Sequence, residues 1–350
     1  MRRTGKKAAA LAVTAALAVS AAGCGSVKDS DVVVTIGGEK VTVGVANFFA
    51  RYQQAEYETY YSGVMGEDMW STEISKGKSY EETVKNQILE TLENMYVLED
   101  HMGDYKVEIT EEEKKKISEA AKAFDEANGL EEKEAVSGTT ENVERMLTLV
   151  TIQEKMQKAM VADVDTEVSD EEAAQKSMKY VYFPYTTTDA EGNQTDMTDE
   201  EKATLKTTAQ TFLDNLNANE TKDIDTVATE GGYEVQSAAF DAKSVSPNAD
   251  LVKAVDALTT EGEVTSVIES DSGLYVGKLV SLLDREATDQ KKKSIVEERK
   301  QEQYEKLLET WRKDTKIEEN EKIWNKIDFE KLGVSIKQSG EQYDDTSTAK

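Results

Sequence analysis

From Asp284 onward the chain reads as one long, highly charged helix whose apolar residues Tyr304, Leu307, Leu308 and Trp311 fall on a single face. A helix with one apolar stripe needs a partner surface to cover it. Ile323, Trp324, Ile327 and Phe329 extend the requirement, so the C-terminal segment is expected to return and pack on helices from the other end of the chain. Those helices are legible. Val45, Phe48, Phe49 and Tyr52 recur at i, i+3, i+4 and i+7, and Val84, Ile88, Leu92 and Met95 recur nearly every turn. Glu141 to Met160 carries apolar residues on more than one side, as a helix packed between neighbours does. Thr110 with Glu113 and Ser169 with Glu172 read as capping boxes. Ahead of the helices, Val32 to Ile36 and Glu39 to Val43 flank Gly37-Gly38 and read as a β-hairpin.

The texture changes near Ser177. Met178 to Tyr185 is strand-like, Gly192-Asn193 signals a turn, and Glu200 to Leu216 is helical. Val235 to Phe240, Val264 to Ile268 and Leu274 to Val280 read as strands, with a short helix at Leu251 to Leu258. That order describes an α+β domain of about 100 residues. The fold class is therefore α+β: a mostly helical domain, residues 32–176 and 285–336, split in sequence by an inserted α+β domain, 177–284. The polar stretch 337–350 reads as a disordered tail.

At the N-terminus, Arg2, Arg3, Lys6 and Lys7 precede an uncharged stretch from Ala8 to Ala22, the layout of a secretory signal peptide over residues 1–23. At a rise of about 1.5 Å per residue this stretch is too short to cross a hydrocarbon core about 30 Å thick. Ala21-Ala22-Gly23-Cys24-Gly25-Ser26 resembles the lipobox of bacterial lipoproteins, with Ala21 where Leu is commonest. That resemblance implies cleavage before Cys24, lipidation of its thiol and a short tether over 24–31; two acyl chains anchor stably where one does not.

Losing four of the 42 basic groups with the leader takes the formal charge from −28 to −32. Such a chain is repelled by phosphate backbones, which argues against nucleic acid as a partner. Cys24 is the only cysteine, so neither a disulfide framework nor a cysteine metal site is expected. His101 is the only histidine, which excludes the usual His-based catalytic and zinc sites, and no cofactor is implied. On the wheel through Val84, Ile88, Leu92 and Met95 it falls opposite the apolar stripe and reads as a solvated side chain near a helix C-terminus. Asp189, Glu191, Asn193 and Asp196 faintly suggest a calcium loop, but the glycine is misplaced and a hairpin fits better.

Several segments carry a wider resemblance: Ile36-Gly37-Gly38-Glu39-Lys40-Val41-Thr42 opening into an aromatic-rich helix, Val107-Glu108-Ile109-Thr110-Glu111-Glu112-Glu113, and Asp223-Ile224-Asp225-Thr226-Val227-Ala228. Leu251 to Leu258, Gly262 to Ile268 and Gly273-Leu274-Tyr275-Val276 continue it. Together these resemble the PrsA-type foldase lipoproteins and, more distantly, the SurA-like periplasmic chaperones, in which a parvulin-type prolyl isomerase domain interrupts a helical chaperone domain. Parvulins place histidines in their first and last strands; the matching positions here are Tyr180 and Tyr275, and Leu251 stands for the family's proline-pocket phenylalanine.

The resemblance implies a foldase on the outer face of the cytoplasmic membrane, lipid-anchored and in a Gram-positive envelope, that binds unfolded exported proteins. Weak or absent isomerase activity is expected without the histidines, and a homodimer is left open. Candidate peptide-binding residues are Phe48, Phe49, Tyr52, Tyr57 and Leu251, with Tyr60, Tyr61 and Trp70 completing the aromatic cluster; core packing is the plainer reading of the same rings. The alternatives are an active parvulin-type isomerase using Tyr180 and Tyr275, and a solute-binding or adhesion lipoprotein, which the lack of repeated βαβ units disfavours.

Overall fold

The computed structural model describes residues 16–21, 28–66, 68–188 and 192–337. Cys24, residues 1–15 and the stretch beyond Lys337 lie outside them. The chain forms an outer unit, Met1–Asp163 with Gln301–Lys350, and an inner unit, Val164–Lys300.

The outer unit begins with β1 (Leu17–Ala21), then β2 (Val32–Ile36) and β3 (Glu39–Thr42). β2 and β3 form the expected hairpin. Its turn holds Gly37 at φ 60° and Gly38 at φ 97°, a region that glycine enters without steric cost. α1 (Val43–Met65) follows directly, and its first free N–H groups are capped from behind: Val43 donates to the Asp31 carbonyl and Gly44 to that of Asp29. The Ser137 hydroxyl also donates to the Asp29 carboxylate, so residues 29–31 belong to the folded body.

A small hairpin, β4 (Glu73–Ser75) and β5 (Lys78–Ser79), leads into α2 (Tyr80–Asp100). Ser79 caps α2 by accepting from the Glu82 N–H, with Glu81 and Glu82 in the first turn where negative charge is favoured. α3 (Glu111–Ala127) opens on the complete Thr110–Glu113 capping box, and α4 (Leu130–Ala135) joins it to α5 (Thr140–Met160). α5 packs against α1, α2 and α3, which is why its apolar residues occupy more than one side.

In the inner unit come α6 (Asp170–Ala173), β6 (Lys176–Pro184) and the hairpin β7 (Thr186–Thr188) and β8 (Gln194–Asp196). Then follow α7 (Asp199–Ala218), α8 (Ile224–Gly231), β9 (Val235–Phe240), α9 (Ala249–Asp256), β10 (Ile268–Ser270) and β11 (Gly273–Ser281). α10 (Arg285–Asp314) belongs to the inner unit through Lys300 and to the outer unit from Gln301. β12 (Ile317–Glu319), α11 (Glu321–Trp324) and β13 (Leu332–Ile336) complete the outer unit.

β12 adds to the first hairpin in the order β12-β2-β3, and β13 pairs antiparallel with β1. The inner sheet is antiparallel in the order β10-β11-β6-β9. Period-two alternation gives that sheet two faces. Val181 and Phe183 of β6 with Leu274 and Val276 of β11 meet α7 and α8, whereas Met178, Tyr180, Tyr275 and Leu279 meet α9. Gly277 lets α9 come close: a Cβ there would lie 2.8 Å from both Leu251 and Val255.

The C-terminal return is as expected within the outer unit. Leu308, Trp324, Ile327 and Phe329 are buried in the core that also holds Phe48, Ile88 and Leu147, and Tyr304, Leu307 and Trp311 pack on it. Phe329 meets Trp70 edge-on at 4.9 Å.

Elsewhere the structure differs from expectation. The Val264 to Ile268 strand shrinks to β10, with Val264 keeping one isolated bridge to Lys278. The inner unit reaches beyond 177–284, because basic groups of α10 find acidic partners just before β6. Lys292 and Arg285 both donate to Asp170, and Arg299 grips Glu172. His101 is half-buried: its ring stacks on Trp311 at 4.1 Å and pairs with Asp104 at 2.8 Å, contacts that a wheel of α2 alone cannot foresee. Asp189 and Glu191 lie outside the described residues, and Thr186 pairs with Asp196 as a hairpin requires. Among the described residues no cluster of acids, histidine or cysteine is placed to hold a metal ion.

Candidate functional site

Three helical stripes of the outer unit converge on one groove of about 440 Å³. α1 contributes Phe49, Tyr52, Gln53, Glu56 and Tyr57; α2 contributes Val84, Gln87, Ile88, Thr91 and Met95; α5 contributes Met146, Val150 and Gln153. The spacings of three, four and seven residues put each set on one helix face.

The floor is apolar. Phe49, Val84, Ile88, Met95 and Met146 are buried, while Tyr52, Tyr57 and Val150 are half-buried walls. Amides at Gln53, Gln87 and Gln153 and the Thr91 hydroxyl form the rim; the Thr91 hydroxyl donates to the Gln87 carbonyl, and Gln153 bonds Tyr304. Burial pushes the Glu56 carboxyl above its usual range, and burial, then Glu56, raises the Tyr52 phenol. No cation lines the groove. Its chemistry is shape-tolerant apolar contact with backbone-capable polar groups at the edge.

An aromatic ladder runs from the groove wall. Tyr57 contacts Tyr61, Trp70 and Tyr80 at 5.7, 5.9 and 6.0 Å, and Trp70 stacks on Tyr80. Tyr60, Tyr61, Val64 and Met65 at the end of α1 are exposed. Of the sequence candidates, Tyr52 and Tyr57 therefore reach the open groove as half-buried walls, and Phe49 lies buried in its floor. Phe48 does neither: it turns to the opposite side of α1 and meets Phe124 edge-on at 5.2 Å.

Tyr180, Tyr275 and Leu251 are also brought together, in the inner unit beneath α9. Each tyrosine is only 6% exposed and Leu251 is fully enclosed, so the ring-sized opening that a bound proline needs is filled by side chains. Tyr180 donates to the Gln236 side chain at 2.6 Å, and Tyr182 stacks on Tyr275 at 4.6 Å. Burial raises both phenols above their usual range. Isomerisation must lower a barrier of ~18–20 kcal/mol by holding a twisted amide in a desolvated site.

Two larger hollows of about 880 and 830 Å³ lie in the inner unit; Phe212, Val227 and Tyr233 line the first together with threonines, and mostly polar and charged side chains line the second. In the first, Thr207, Thr208 and Thr211 donate back to helix carbonyls. In the second, Glu269 already accepts from Lys206 and Tyr185.

Residues that sequence reasoning missed are the rim amides and the α5 wall. Their signal was present in the i, i+4, i+7 spacing of Met146, Val150 and Gln153, but only the packing of α5 against two helices shows which side stays open.

No family model matches the chain, and no curated protein does. Solved structures that it is similar to include PrsA foldases and a SurA-like chaperone. PrsA of Lactococcus lactis shares 15% identity at a TM-score of 0.33, covering 89% of this chain and 96% of that one. A SurA-like chaperone of Campylobacter jejuni shares 12% identity at 0.30, covering 83% and 99%. PrsA of Bacillus subtilis shares 14% identity at 0.22, covering 81% and 93%.

Proposed function

We propose that this chain is an exported chaperone: its leader is cut before Cys24, the cysteine is lipidated, and the body holds unfolded segments of other exported proteins on the outer face of the cytoplasmic membrane. The observation that carries the reading is the open apolar groove between α1, α2 and α5, with amides and no cation at its rim. Large rigid aromatic side chains grip without demanding a sequence, and a strongly acidic exterior keeps the loaded complex soluble. The sequence resemblance to foldase lipoproteins supports the same reading, as do the lipobox-like residues around Cys24. No helix among the described residues is long and apolar enough to cross a membrane.

The inner unit acts by architecture. Tyr180, Tyr275 and Leu251 fill one another's space, so short proline peptides are isomerised at the uncatalysed rate. The test pairs two assays on one preparation, suppression of aggregation of a denatured protein and isomerisation of a proline peptide. Holding without acceleration is expected. Acceleration that collapses in Tyr180→Phe or Tyr275→Phe overturns this reading, and membrane fractionation of Cys24→Ala, expected to release the protein, tests the anchor.

A further inference from the structure

In the full chain the last part of the leader is not idle. Leu17–Ala21 forms β1 and pairs antiparallel with β13, Leu17 opposite Ile336, Ala18 opposite Ser335, Val19 opposite Val334. The Lys337 N–H donates to the Ala16 carbonyl at 2.7 Å, so Ala18 is the next residue to exchange ladder bonds with β13, and Leu17 points its N–H the other way, to Asn128 Oδ1 at 2.6 Å. Leu17 is 1% exposed and Val19 packs against the same core, whereas Ala18 and Ser335 share the opposite face.

β13 does not depend on β1 for its place. Its other edge is bonded by side chains of α1: Val334 N–H donates to Glu58 and Ile336 N–H to Thr59, each at 2.8 Å, while the Leu332 carbonyl accepts from Arg51 and Gln54. Leu332 and Val334 are themselves buried in the core. Removing the leader therefore leaves an ordered strand with the backbone edge at Gly333, Ser335 and Lys337 open, beside two apolar sockets two residues apart. An ordered open edge is a template for another strand.

We propose that in the mature chain this vacated edge seats one extended apolar strand of an unfolded client, paired by its backbone to β13 and filling the Leu17 and Val19 sockets with alternate side chains. The leader is thus the placeholder that shows the binding mode. The inference rests on the proposed leader removal and client holding. Backbone pairing makes the seat tolerant of sequence, and the alternation restricts it to segments with apolar residues at i and i+2.

The test uses the chain from residue 24 onward with Cys24→Ser, and the full chain with the same substitution. The probe is a fluorescein-labelled peptide with the sequence of residues 14–21, followed by anisotropy. The mature chain is expected to bind it, and the full chain at least tenfold more weakly. Methylating the peptide amide that corresponds to Ala18, or replacing its Leu17 by Asp, is expected to weaken binding at least tenfold, and these changes leave the protein fold untouched. Ser335→Pro in the mature chain is expected to do the same, and a reduced, carboxymethylated unfolded protein is expected to displace the peptide.

If the mature chain suppresses aggregation but does not bind the peptide, the seat is wrong and the holding function stands. A bound peptide that the unfolded protein cannot displace marks a leader-only site and overturns the proposal. So does full hydrogen-exchange protection of residues 333–337 in the mature chain alone, which would mean that its own tail, or a second copy if the protection falls on dilution, covers the edge. If the chain recovered from cells still begins at Met1, leader removal and the seat fall together, and the mass of the protein distinguishes this from the other outcomes.

Discussion

Tyrosine is used in opposite ways by the two units. In the outer unit Tyr52 and Tyr57 wall an open groove, and Tyr60 and Tyr61 stand in solvent. In the inner unit Tyr180 and Tyr275 lie on the sheet face that α9 covers, with the nearer hydroxyl committed to Gln236. An aromatic ring grips a client only where the protein leaves its face uncovered. The location of a ring, not its identity, separates gripping from filling.

The largest effect expected from breaking this contrast is on folding. Ending the chain at Asp284 removes Trp324, Ile327, Phe329 and Val334 from the core that supports the groove, so the outer unit should unfold while the inner sheet keeps part of its signal. Circular dichroism melts that match the intact protein would show that the two segments do not share a core.

Next in size is a single ring. Phe329→Ala should cost ~3–5 kcal/mol, the usual loss for a fully buried phenylalanine, and Phe212→Ala a similar amount in the inner unit. Urea titrations followed by separate probes should show each variant shifting a different transition. A common shift in both would mean that the units unfold as one.

Groove chemistry comes third. Gln87→Glu with Thr91→Glu adds charge on the rim without touching the floor. Losing contacts worth about 1–2 kcal/mol lowers affinity roughly tenfold. Aggregation suppression should fall accordingly, with the melting temperature within a few degrees of wild type.

Tyr180→Phe should be milder. It removes one part-buried hydrogen bond, whose Gln236 partner is exposed to water, and costs no more than about 1 kcal/mol in stability, with neither holding nor isomerisation changed.

The smallest effect is one of pH. Hydrogen bonds from Lys292 and then Arg285 lower the Asp170 carboxyl from 3.8 to about 2. A depressed acid stabilises the fold above its unfolded pKa, and that contribution is lost as the pH falls through the folded value. Asp170→Asn should therefore flatten the acid limb of inner-unit stability between pH 4 and 2.

Elements with strong periodicity were legible without the structure, and so was the need for the C-terminal stripe to find distant helices. Short pieces were not. β12 and β13 are three and five residues long, too brief to show alternation against the charged background. The stacking of His101 on Trp311 joins residues more than two hundred positions apart, which no local pattern encodes. For the candidate site, Phe49, Tyr52 and Tyr57 could be picked out as aromatic, but Phe48, one residue from Phe49, packs on Phe124 instead of the groove. Which neighbour lines the groove depends on where α5 lies.

Asp29 and Asp31 bind the start of α1 through their carbonyls, and that fixes how far the body could travel from a lipid on Cys24. Five residues, at no more than about 3.6 Å each, give a leash of roughly 18 Å. On such a leash the body would stay within that distance of the membrane surface and would not patrol the space beyond.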